Sequence, residues 1–90
     1  MVVGRRYVVS GRVQGVGFRF FVQEAAAREG ITGWVRNHPD RTVEIEAHGE
    51  AEAVLRFEMA VRRGPIGARV DDVLVEPAAP SAHYGFSIDP

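Results

Sequence analysis

The residue types with most chemical potential stand together near the N-terminus: Gly11-Arg12-Val13-Gln14-Gly15-Val16-Gly17-Phe18-Arg19. Glycines at 11, 15 and 17 let the backbone curl until successive N–H groups converge, which makes a nest for an anion. The stretch lies between a strand end and a helix start. A helix N-terminus adds unpaired donors and about half a positive charge. Each feature alone also describes an ordinary tight turn. Arg19 sharpens the case, because the dipole at a helix start disfavours a cation by about 0.3–1 kcal/mol. That cost is tolerable where an anion sits between loop and guanidinium, whose planar fork can grip two phosphate oxygens. An arginine leaning into solvent is the plain alternative, and both stay open on these residues alone.

The elements that must hold this loop follow from hydrophobic periodicity. Tyr7-Val8-Val9-Ser10 reads as a first strand ending at Gly11, and Arg19 to Glu29 as a helix with Phe18, Phe21, Val22, Ala25 and Ala26 at three- and four-residue spacings. Gly30 stops it. Ile31 to Asn37 reads as a second strand, 38–41 as a turn, and Thr42 to His48 as a third strand ended by Gly49. In that strand Val43, Ile45 and Ala47 face one way; Thr42, Glu44, Glu46 and His48 form the polar, solvated side. Glu50 to Arg63 is a second helix, with Val54, Phe57, Ala60 and Val61 inward and Gly64-Pro65 at its end. Arg69 to Glu76 makes a fourth strand, and Gly85 to Ile88 can add a short last one. The order βαββαβ predicts an α+β, ferredoxin-like sandwich: a four-stranded antiparallel sheet with two helices on one face, one domain over residues 1–90.

Composition narrows the chemistry. The chain has 90 residues, 46% hydrophobic and 26% charged, which suits one soluble core. Eleven basic against twelve acidic residues give a net charge of −1, which argues against a nucleic-acid partner. Every basic residue is arginine, so lysine Schiff bases and phosphate-binding lysines of the Walker type are excluded. Without cysteine there is no disulfide, thiolate or cysteine–metal chemistry. His38, His48 and His83 are scattered without ligand spacing, so no metal and no cofactor is expected. No signal peptide and no apolar run of about 18 residues is present, which points to a cytoplasmic protein without a membrane partner; a monomer is expected.

Several residues have plain roles beside conspicuous ones. Trp34 reads as core rather than a stacking platform, and Glu44 and Glu46 as the ordinary polar face of a strand. His48 reads as solvated, and His38 as a turn residue. Phe20 either borders the pocket or covers the first helix, and Gln14 offers its backbone N–H before its side chain.

With these residues in view, Gly11 to Arg19 resembles the signature loop of the acylphosphatase family. Gly33-Trp34-Val35-Arg36-Asn37, followed by Asp40 and Thr42-Val43-Glu44, is similar to that family's second block. Gly64-Pro65 and Ala68-Arg69-Val70 resemble its third. The resemblance implies hydrolysis of a carboxyl–phosphate anhydride to a carboxylate and inorganic phosphate, without metal or phosphoenzyme. It implies that the loop amides of Gln14, Gly15, Val16, Gly17 and Phe18 bind the phosphate with Arg19, and that Asn37 positions the attacking water. The chemistry is coherent with those groups: a carboxylate leaves readily, and phosphoryl transfer to water depends on positioning and charge stabilisation. No histidine or carboxylate is placed to serve as base, which leaves the bound phosphate itself. Where the family usually has glycine after the second-block aspartate, this chain has Arg41. That predicts a different turn, with Pro39 at its second position. Asp89-Pro90 replaces the frequent basic-plus-tyrosine ending. The competing functions are a non-catalytic ferredoxin-like anion-binding module and a domain handling carbamoyl phosphate for a larger assembly.

Overall fold

A computed structural model describes residues 1–80 and 84–90 of the chain. The element order is β1 (Val2–Arg12), α1 (Phe18–Glu29), β2 (Thr32–Asn37), β3 (Val43–Glu50), α2 (Ala51–Arg63), β4 (Arg69–Ala78) and β5 (Phe86–Ile88). The sheet runs β4-β1-β3-β2-β5. The ferredoxin-like arrangement of two helices on a sheet is present, but the sheet has five strands and is mixed. β5 pairs parallel with β2 through Gly33↔Phe86, Trp34↔Ser87 and Val35↔Ile88. The expected four antiparallel strands stop short by this edge, since three residues carry too little periodicity to reveal their partner or direction. His83 lies outside the described residues.

Register explains the core. Tyr7 and Val9 of β1 lie opposite Ile45 and Val43 of β3, and Ile45 in turn opposes Val35 of β2. Because alternate strand residues share a face, these side chains point together at the helices, where they bury against Phe18, Val22, Phe57 and Val61. The predicted inward stripe of α2, Val54, Phe57, Ala60 and Val61, is buried throughout. On β4, Val73 is buried, whereas Val75 is exposed, as befits an edge strand.

Two strand ends differ from expectation. β1 continues through Gly11 instead of ending there: a bulge between Ser10 and Gly11 shifts the register, and Gly11 has φ 123°. A Cβ at that position would lie 2.1 Å from the Arg69 carbonyl oxygen. The bulge re-aims the end of β1 toward the loop. β3 likewise runs through Gly49 to Glu50.

The other sheet face is not the solvated surface that alternation predicts. Glu44 and His48 are both buried. His48 lies opposite Gly4, which has no side chain to hold the ring outward, and it hydrogen-bonds Glu46. Glu44 is covered by Arg6 and Arg36 from the flanking strands, both ion-paired to it. Long arginine stems cover a surface that no helix covers. Trp34 belongs to this face as well, half-buried beneath the Arg36 guanidinium at 4.9 Å, rather than to the main core.

Candidate active site

The loop after β1 turns on two left-handed glycines, Gly15 (φ 73°) and Gly17 (φ 76°), while the residues between and around them keep negative φ. Alternation of this kind gathers main-chain N–H groups on one concave side. Among the described residues, no amide of 14–17 donates to a backbone or side-chain acceptor. Gly17 is the N-cap of α1, without a side-chain cap and without an acidic residue in the first turn. The donors of loop and helix start are therefore available to an anion.

Around them lies a cavity of about 100 Å³, lined by Val13, Gln14, Gly15, Gly17, Phe18, Arg19, Phe20 and Asn37. Arg19 and Asn37 thus face the same space from different elements. Asn37 reaches it by parity: at the end of β2 it shares the helix side with Gly33 and Val35, next to the start of α1. Arg19 is half-buried and has no acidic partner among the described residues. The Asn37 Oδ1 is buried and accepts no hydrogen bond from the described residues. An unpaired buried acceptor costs about 1–3 kcal/mol, so its place beside the amides is informative. Val16 does not line the cavity; its side chain packs against the core, leaving its amide as its contribution. Phe20, exposed, forms part of the rim.

The loop is fastened to the hairpin that carries Asn37. The Gln14 side chain donates from Nε2 to the carbonyl oxygens of His38 (2.9 Å) and Thr42 (3.0 Å). Between them, Arg41 N–H donates to His38 O and His38 N–H to Thr42 O. That is a type I turn with Pro39 at its second position, followed by a left-handed residue, a common hairpin connection. Arg41 takes the left-handed place at φ 74°. The turn is thus one that glycine at 41 would fit, not the different one that arginine had implied. Asp40 Oδ1 accepts from Thr42 N–H and Oγ1 (3.0 and 2.6 Å), and the Thr42 hydroxyl above all holds its carboxyl below the usual value.

Sequence reasoning missed the support behind this hairpin. Glu44 receives Arg36 Nε and Nη2 (3.2 and 3.1 Å), Arg6 Nη1 (3.3 Å) and His38 Nε2. His38 is therefore a tie from turn to sheet. Burial alone would raise the Glu44 carboxyl, but the hydrogen bonds from His38, Arg36 and Arg6 outweigh it and hold the group below its usual value. A carboxylate depressed on folding stabilises above its unfolded pKa, and that contribution disappears as pH falls through the lower folded value. Glu44→Gln is accordingly expected to cost about 1–3 kcal/mol at neutral pH. The gap from wild type should narrow below the ordinary value of 4.5, as read by urea midpoints across pH. A gap constant with pH would remove the charge from the explanation.

Among the described residues, no histidine or carboxylate lines the cavity. Among the described residues, no group of three or more His, Cys, Asp or Glu side chains is placed to hold a metal. No helix among them is long and apolar enough to cross a membrane.

The acylphosphatase family model matches residues 5–88. An acylphosphatase of Koribacter versatilis is 49% identical over 79 residues, covering 88% of this chain and 72% of the relative. The crystal structure of an acylphosphatase from Bacillus subtilis superimposes with a TM-score of 0.95 at 42% identity, covering 100% of both chains. An acylphosphatase structure from Coxiella burnetii gives 0.93 at 32% identity, over 98% of this chain and 93% of that one.

Proposed function

Because this chain belongs to the acylphosphatase family, we infer that the cavity between loop and hairpin holds the phosphoryl group of an acyl phosphate while water cleaves the carboxyl–phosphate bond. The enzyme is an acylphosphatase, releasing a carboxylate and inorganic phosphate. The observation that carries the site assignment is the convergence of unpaired amides, an unpartnered arginine and a buried free acceptor on one cavity of about 100 Å³. That is room for a phosphoryl group and little else.

Each group has a separate task. The amides of Gln14, Gly15, Val16, Gly17 and Phe18, together with the Arg19 guanidinium, bind the equatorial oxygens. They neutralise charge that spreads over those oxygens in the loose transition state. The Asn37 Oδ1 accepts a hydrogen bond from the attacking water, and its side-chain N–H₂ donates to the phosphate or the leaving oxygen. Water attacks phosphorus, the P–O bond to the acyl oxygen breaks, and the carboxylate departs with the bonding pair. The water's proton passes to a phosphate oxygen, since the described residues lining the cavity offer no side-chain base. The protein acts as a cytoplasmic monomer.

The test is a continuous assay of benzoyl phosphate loss with the purified chain. We expect turnover that inorganic phosphate inhibits competitively and that a strong chelator leaves unchanged, because arginine and amides supply the charge a metal would otherwise provide. No turnover would overturn the hydrolase assignment, and loss of rate on chelation would overturn the metal-free mechanism.

A further inference from the structure

Against the phosphate cradle lies a second, larger cavity of about 650 Å³, walled by residues 11–15 and by three arginines, Arg12, Arg41 and Arg69. Val13, Gln14 and Gly15 line both cavities, so the two share a wall of loop backbone. The cradle accommodates the phosphoryl group, and the acyl half of a substrate must leave it toward a neighbouring space. Among the described residues, no carboxylate lines the larger cavity.

The arginines are placed there at a cost. Arg12 and Arg69 lie directly opposite each other across β1 and β4, where like charges repel. Arg41 stands alone among the described non-glycine residues in having positive φ, at 74°. An arginine gains nothing from that conformation that glycine would not supply more easily. Neither Arg12 nor Arg41 has an acidic partner among the described residues. Arg69 gives Nε and Nη2 to Asp71 at 2.8 and 3.2 Å, and its Nη1 makes no hydrogen bond among the described residues. The cluster therefore keeps net positive charge beside a site that already accepts an anion.

We propose that this cavity receives a second anionic group carried on the acyl half of the substrate, so that the preferred acyl phosphates bear a further carboxylate or phosphate away from the scissile anhydride. The proposal rests on the acyl phosphate assignment above and extends it to substrate class. A planar guanidinium fork suits either anion, and three cations around one cavity concentrate the field there more than a lone surface charge would.

The experiment compares benzoyl phosphate with 4-carboxybenzoyl phosphate, which add one carboxylate at a distance from the reacting bond. The enzymes compared are wild type and the Arg41→Gly, Arg69→Gln double variant. Glycine at 41 fits the left-handed turn, so the hairpin carrying Asn37 is retained. Wild type should favour the carboxylated substrate in kcat/KM by about fivefold to tenfold at low salt. The preference should shrink as salt rises. In the double variant it should vanish, with benzoyl phosphate turnover within about twofold of wild type. Equal kcat/KM values in wild type, or a preference surviving the double substitution, would overturn the proposal. So would an equal loss on both substrates, which is the signature of general attraction for anions. Failure to turn over either substrate would instead strike the hydrolase assignment. The cavity would then be judged by calorimetric affinity for benzoylphosphonate and its 4-carboxy analogue, equal affinities overturning it.

Discussion

Arg19→Ala is expected to lower kcat/KM for benzoyl phosphate by about 10²–10³, the usual effect of removing one preorganised charge-stabilising donor. The loss should appear in both kcat and phosphate affinity, because a guanidinium at the cradle meets the dianion in the ground state and the spreading charge in the transition state. Stability should move the other way or not at all. Arg19 pairs with no acidic residue among those described, and it sits on the first turn of α1, where the dipole opposes a cation by about 0.3–1 kcal/mol. A variant that is nearly inactive yet melts no lower than wild type would identify a group retained for chemistry. A variant with unchanged turnover would sink the site.

Asn37→Ala should act differently. We expect kcat to fall by about 10²-fold while the competitive inhibition constant for inorganic phosphate changes by less than about fivefold. The amides and Arg19 still hold the phosphate, and what is lost is the acceptor that aims the water. Its Oδ1 is already buried without a protein partner, so truncation discards an unpaired polar atom and should not destabilise the fold. Large loss of phosphate affinity would reassign Asn37 to binding; large loss of stability would make it structural.

How much of this was legible in the sequence depended on whether the signal was local. The glycine spacing, the arginine at a helix start and the alternation of Val43, Ile45 and Ala47 are each carried by neighbouring residues, and the cradle and the core follow from them. The buried Glu44 was not legible, because alternation counts polar residues as outward and cannot know that Arg6 and Arg36 will fold over one from both sides. His38 became a tie for the same reason. The parallel pairing of β5 is set by a partner some fifty positions away in sequence, as Gly33↔Phe86 shows. Arg41 was judged on its preference for other turns, whereas flanking hydrogen bonds from His38 and Thr42 override that preference. Gln14 offered a clue that went unused: a long amide among glycines and valines has reach that a turn residue does not need.

That amide has a consequence for timing. Its Nε2 bridges from the loop to two carbonyl oxygens of the opposing hairpin, so the glycine loop and the hairpin that carries Asn37 are moored to each other before any guest arrives. The entropy of bringing the halves together is settled when the chain folds. Under the proposed mechanism, substrate capture is then expected to need no clasp that swings shut, with encounter rather than rearrangement setting how fast the pocket fills.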